Sequence, residues 1–525
     1  MYPFDEPTRQ VLFYALPSAL ILLALAVPWL ERRASRALAR LHLALLALVC
    51  LVGFLLYTNQ NWEKRRYFNP YEFFHYYVGS KYARELGYAR LYDAAVLVDR
   101  ETGFAHESRE LANLGAHRGG PEFKRLSAVY AEEEAIRAPF SPERWAAFTR
   151  DVVFFRDELA PSMWEQLLHD KGYNATPAWT LVGGTLANLV PLESAPGLRA
   201  LIALDPLLLC VGFACVAWAF GARAMLFVLA LYLTHYCTSH AHFRAAFLRT
   251  DWLVALVVSV CCLKKEKPFL AGALLAWSAL SRVFPLLFAL GPLAVLAWSL
   301  WKRTPARRAA LRFAAGGCLV GVSVFGLTLA RGGLDSGLDS ALDSWGEFQA
   351  KIVEHDERPA SDTVGFKKLF LWTIDFRKDQ GPEIRALFEE RQPAWWACQA
   401  AFAAFLAWIT RQRALHEALC LSFPLLWFLA SPAYYYYAFL VVPLLFFAER
   451  LARPRRALGL ALIFATSLAA RAFHAGPTFG EHFAFKLSIV MGVLAAYVAF
   501  FAASSARRGA VLVRAGAPDA TAEGA

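Results

Sequence analysis

Residues 268–301 read PFLAGALLAWSALSRVFPLLFALGPLAVLAWSLW, and this stretch decides the fold class. It runs for 34 positions with one charged residue, Arg282. A single helix needs about 20 residues to cross a hydrocarbon layer about 30 Å thick, so the stretch is too long for one crossing. Pro285 lacks a backbone N–H and breaks a helix three residues after the arginine. The stretch is therefore expected to form two short membrane helices, 268–281 and 283–301, that meet at Arg282.

Similar apolar runs recur on both sides. They are expected at 11–30, 41–57, 198–218, 222–238, 251–263, 309–330, 395–410, 414–430, 433–448, 457–473 and 484–503. The run at 177–192 is interrupted by Gly183 and Gly184 and is not expected to cross fully. Of the 525 residues, 58% are hydrophobic and 18% charged, against about 25% charged in soluble domains. The class is thus an all-α polytopic membrane protein of about 13 transmembrane helices, with a large helical outer loop. The acidic Met1–Glu6 lacks a basic n-region, so the run at 11–30 is expected to be retained as a span. The net charge of +11 is no nucleic-acid signature, because Lys and Arg gather in short connectors such as 31–36, 264–267 and 301–308. Placing those connectors in the cytoplasm satisfies the positive-inside rule at every strongly basic turn.

That orientation divides the chain. Two helices occupy 1–57, a periplasmic subdomain 58–176, and a bundle 177–503 that carries an outer loop at 331–394. Residues 504–525 read as a disordered cytoplasmic tail. Within 58–176, Pro121 through Arg137 looks helical. Leu and Asp recur every four residues from Leu334 to Ser344. This reads as an amphipathic surface helix in preference to a cation site built from Asp335, Asp339 and Asp343.

The residues suited to chemistry gather on the outer side. Glu72 and His75 stand three apart, on one helical face, among Tyr71, Phe73, Phe74, Tyr76 and Tyr77. A carboxylate shielded by aromatics suits a general base acting on a hydroxyl, with His75 orienting it. An ordinary interfacial carboxylate beside an aromatic belt is the competing reading. Lys81 is a candidate for phosphate, or for lipid headgroups. The connector 234–251 carries His235, His240, His242, Arg244, Arg249 and Asp251. Arg244 or Arg249 is expected to face an anion, and His240 and His242 to line a substrate groove. An arginine within apolar sequence, as Arg282 is, costs free energy and marks a functional position by default, with a lipid phosphate as its natural bidentate partner. Tyr434 and Tyr435, in a run of four tyrosines, complete the expected groove. Gly365–Phe370, and Arg471 with His474, are weaker candidates on the same side.

Other chemistries find no support in the sequence. It has no dinucleotide fingerprint, Walker A loop or HExxH motif. The nine cysteines fall in or beside apolar runs, so neither a disulfide framework nor a cysteine metal site is expected.

These residues resemble the GT-C membrane glycosyltransferases, nearest to family 87 (DUF2029), the polyprenyl-phosphate-mannose-dependent mannosyltransferases. The resemblance covers roughly 68–300 and 430–445. It rests on Glu72 followed by Tyr76 and Tyr77, then Gly79-Ser-Lys81, Leu91-Tyr-Asp93, the Arg282-Val-Phe-Pro285 break and Ser431-Pro432. This chain has Glu72 where the family usually has Asp, Arg282 where it has Lys, and an added span at 11–30. The resemblance implies a GT-C-like bundle and inverting transfer from a polyprenyl-phosphate sugar, with mannose the family's sugar, to an acceptor hydroxyl on a glycan or glycolipid. Glu72 would be the base, and Arg282 with Arg244 or Arg249 would stabilise the departing phosphate. The donor is a substrate; no separate cofactor or metal is implied. The implied location is a bacterial inner membrane with the site facing the periplasm.

Two other functions compete. A secondary transporter would show paired broken helices in two repeats, whereas only 268–301 is broken. A non-catalytic envelope-assembly subunit would keep the fold without the base.

Overall fold

The computed structural model describes residues 4–63, 68–116, 121–192, 195–238, 246–336, 338–357, 363–371, 381–475 and 479–514. It is 80% helical. Strand is confined, among the described residues, to one antiparallel pair, Glu110–Ala112 with Phe123–Arg125. The helical expectation for Pro121–Arg137 is corrected there. Phe123–Arg125 pairs as a strand, and helix begins only at Leu126–Ala131 and Glu133–Arg137. Lys124 explains the difference. Its Nζ reaches Asp93 at 3.1 Å and Glu132 at 2.9 Å, contacts that hold the strand against the neighbouring helix.

Seven helices among the described residues are long and apolar enough to cross a membrane: Glu6–Arg33, Arg36–Thr58, Pro196–Phe220, Phe284–Trp301, Ala306–Ala330, Pro454–His474 and His482–Ser504. On these criteria the expected count of about 13 is not reached. Several expected spans are shorter, as in Ala222–Thr234, Asp251–Lys264 and Pro268–Ser281. At 1.5 Å per residue, 14 residues extend only about 21 Å. The expected span at 414–430 divides into Leu415–Cys420 and a π-turn at Leu426–Ala430. Leu22, Leu48, Leu207, Val322, Val493 and Phe500 are exposed. In a multi-pass membrane protein such side chains meet lipid.

Two apolar cores form. One lies between the long helices and runs from Leu16 to Ala502. The other is dense in aromatics and gathers Phe73, Phe74, Tyr77, Tyr92, Phe148, Phe155, Trp164 and Trp179 within the 68–201 segment. Phe247 and Leu248 belong to this second core, while Trp252, four residues after Leu248, belongs to the first. The connector ending at Asp251 therefore crosses the seam between them.

Proline and glycine shape the broken stretch as its sequence predicts. Pro268–Ser281 ends at Arg282, whose backbone is extended, and a 3-10 turn at Phe284–Ala289 leads into Leu290–Trp301. Pro268–Ser281 packs closely on Ala306–Ser336 through two glycines. A Cβ at Gly272 would lie 1.9 Å from the Phe313 carbonyl oxygen, and one at Gly316 would lie 1.9 Å from that of Phe269. Such approach is how apolar helices associate without a hydrophobic drive. We expect Gly272→Val and Gly316→Val each to lower the melting temperature in detergent, by an overpacking cost of about 1–3 kcal/mol or more. Gly321→Val, with nothing within 4 Å, should leave it nearly unchanged. Equal melting of all three variants would contradict the close crossing.

Candidate functional site

Asn69 starts the site. Its Oδ1 accepts the Glu72 N–H at 3.3 Å and caps the turn Pro70–Phe73. A π-turn, Phe74–Val78, follows at once. Such wide turns are uncommon and frequent at functional sites. Here the turn runs through Tyr76, so that one guanidinium meets both Glu72 and Tyr76. Arg249 Nη2 lies 3.3 Å from Glu72 Oε2, and the Arg249 guanidinium carbon sits 4.1 Å from the Tyr76 ring centre. Arg282 also lies over that ring, at 5.0 Å. The three charged side chains are 5–6% exposed, so each charge is removed from bulk water.

The backbone around Arg249 is built to hold it. Leu248 is left-handed, with φ of 50°, a conformation costing of order 1–2 kcal/mol for an ordinary residue. Four hydrogen bonds offset it. Trp179 Nε1 donates to the Leu248 carbonyl at 3.2 Å. Asp205 accepts the N–H of Arg249 at 2.9 Å, the N–H of Thr250 at 2.8 Å and the Thr250 hydroxyl at 2.7 Å. Asp205 sits in the apolar helix Ala195–Phe220, and sequence reasoning missed it. A lone carboxylate in a membrane span was the available signal.

Arg282 is placed by the break after Ser281. Thr176, which caps Pro177–Leu189, also donates to the Leu280 carbonyl. Ser281 Oγ donates to Asp251 Oδ2 at 2.7 Å. Tyr76 donates to Asn174 Oδ1 at 2.7 Å. Several buried polar atoms find no hydrogen-bond partner among the described residues: Nε and Nη1 of Arg249, Nε and Nη2 of Arg282, and Oδ1 of Asp251. Buried polar groups are nearly always paired, so this concentration at one place makes the cluster the candidate site. Tyr436 lies within electrostatic reach of Tyr76 and both arginines, and Tyr435 of Arg249.

The remaining expected site residues lie elsewhere. His75 Nε2 meets the Tyr92 hydroxyl at 2.7 Å. Lys81 is corrected as a phosphate ligand, since its Nζ pairs with Asp151 at 2.7 Å and packs on Tyr77 and Tyr82. Tyr77 donates to the Val190 carbonyl at 3.0 Å and fills the aromatic core. Tyr434 stacks on Tyr236, at 5.5 Å between ring centres. His240, His242 and Arg244 lie outside the described residues, as do the side chains of Asp335 and Asp339. Of the weaker candidates, Gly365 packs against Ser431. His474 Nδ1 lies 2.7 Å from the Tyr236 hydroxyl, and Arg471 covers Phe13.

His416, Glu417 and Glu449 bring ligand atoms within 4.8 Å of one another. Lys264 already pairs with Glu449. Arg456 reaches Glu417 at 3.3 Å and Glu449 at 3.7 Å, and Arg413 reaches Glu417 at 4.0 Å. Three cations facing two carboxylates leave no negative charge for a divalent ion. The cluster reads as an ionic clamp at the far end of Asp251–Lys264.

No family model, curated protein or solved structure matches the chain.

Burial holds the His75 pKa below its ordinary value, and Lys351 adds to the effect against the opposing charges of Asp170 and Glu72. In the folded state the imidazole therefore stays neutral at pH values where the unfolded chain, with a pKa of about 6.5, takes up a proton. Stability attributable to His75 is present above about pH 6.5 and is lost as pH falls, by up to about 1.4 kcal/mol per pH unit. Thermal melts in detergent between pH 7.5 and 5 should show this loss, and His75→Gln should flatten it. Parallel curves for the two proteins would refute the assignment.

Proposed function

We propose that this multi-pass membrane protein is a glycosyltransferase that moves a sugar from a polyprenyl-phosphate donor to an acceptor hydroxyl. The reading carries over the family resemblance. One observation supports it most: Arg249 and Arg282, distant in sequence from each other and from Tyr76, both lie over the ring of Tyr76, and Arg249 also meets Glu72. Local sequence cannot produce that convergence. Charge and geometry suit the reaction. The acceptor oxygen attacks the anomeric carbon and Glu72 takes its proton. The anomeric carbon–oxygen bond to phosphate breaks on the opposite face, so the configuration inverts. Arg282 and Arg249 receive the growing phosphate charge through N–H groups that have no hydrogen-bond partner among the described residues. Fixed donors aimed at developing charge are the strongest aid available to such a step.

In this reading the chain resides in a bacterial inner membrane with its site facing the periplasm. The acceptor is a glycan or glycolipid, and mannose is the sugar the resemblance implies.

Purified protein supplied with polyprenyl-phosphate mannose and envelope glycolipids tests the reading. We expect Glu72→Gln to reduce transfer at least hundredfold, the scale of a lost general base, with binding of the lipid phosphate retained. Full transfer by that variant would remove Glu72 as the base. Accumulation of solute in proteoliposomes with no transfer product would favour a transporter instead.

A further inference from the structure

Asp251 is a buried carboxylate that the reaction above does not use. It is 7% exposed. Ser281 fixes Oδ2 at 2.7 Å, while Oδ1 is buried with no hydrogen-bond partner among the described residues. Arg282 lies within electrostatic reach, yet no ion pair joins the two. A carboxylate oxygen is only an acceptor and repels phosphate, so Oδ1 calls for a hydroxyl or amine donor. Arg282 Nε and Nη2, equally unpartnered, call for an anion. The ligand must therefore present a donor group close beside an anion.

A glycosyl phosphate does so, because the carbon bearing phosphate is next to one bearing a hydroxyl. Resting on the glycosyltransferase reading, we propose that Asp251 is a specificity residue: its Oδ1 accepts a hydrogen bond from the hydroxyl vicinal to the sugar's anomeric phosphate while Arg282 holds that phosphate. Ser281 keeps the carboxylate turned toward this hydroxyl. The arrangement selects a sugar phosphate over a bare lipid phosphate.

The test is binding, measured on the full chain in detergent with three probes: farnesyl phosphate, farnesyl-phosphate mannose and its 2-deoxy analogue. Loss of a hydrogen bond to a charged group corresponds to about ten- to hundredfold in affinity. The native protein should bind the mannose probe tighter than the 2-deoxy probe by that factor. Asp251→Ala should bind both equally and bind farnesyl phosphate at least as tightly as the native protein does. Should Asp251→Ala fail to fold, Asp251→Glu keeps the charge but shifts it, and should reduce the preference at least threefold. A native preference that survives unchanged in a folded Asp251 variant overturns the proposal and leaves the lipid-phosphate reading standing. Farnesyl phosphate that does not bind the native protein, or binds Arg282→Ala equally well, overturns the lipid-phosphate reading itself.

Discussion

Arg249 is the residue on which the arrangement depends. Its guanidinium contacts Glu72 and covers Tyr76, joining the aromatic subdomain to the connector that begins Asp251–Lys264. Removing one partner of a buried ion pair costs about 3–5 kcal/mol, because the other charge is left uncompensated. That penalty ties the two cores together at their seam. It also explains the left-handed Leu248 and the triple hydrogen bonding to Asp205. Strain of this kind persists only where surrounding structure over-determines it.

Close packing gives the seam its rigidity. A Cβ at Gly184 would lie 2.7 Å from the Ser80 carbonyl oxygen, and one at Gly79 would lie 2.5 Å from the Tyr173 ring. These contacts press Pro177–Leu189 onto the segment that carries Glu72 and Tyr76. Tyr173 in turn stacks on Tyr88, at 5.5 Å between ring centres, and Tyr88 donates to the Ala175 carbonyl at 2.6 Å. The site is thus carried on packed aromatic rings and short helices, with few freely rotating side chains.

Much of this was legible in the sequence, for reasons that differ by element. Apolar runs show the helical class because a bilayer demands internal backbone pairing and a minimum length. The break at Arg282 and Pro285 was legible because proline acts locally. Arg282 stood out because charge in apolar sequence is costly. Span count was less legible, since apolar helices of 13 or 14 residues pack inside a bundle as readily as they cross a bilayer. Lys81 misled because a lysine near an aromatic segment carries no record of its partner, and Asp151 lies seventy positions away. Asp205 and Asn174 escaped notice for the same reason: their roles exist only once distant segments meet. The pairing of Arg249 with Glu72 is likewise a tertiary fact.

The charge balance of the cluster bears on how such a site would work. Among the described residues two guanidiniums lie with two carboxylates, Glu72 and Asp251, in surroundings where an extra charge is expensive. In the proposed reaction a glycosyl phosphodiester would enter with one negative charge and leave as a monoester with two, while Glu72 would gain a proton and lose its charge. Negative charge would therefore pass from Glu72 to the phosphate without altering the total. Arg249 would be the group able to follow it, because it already holds Glu72 through Nη2 while its Nε and Nη1 have no hydrogen-bond partner among the described residues.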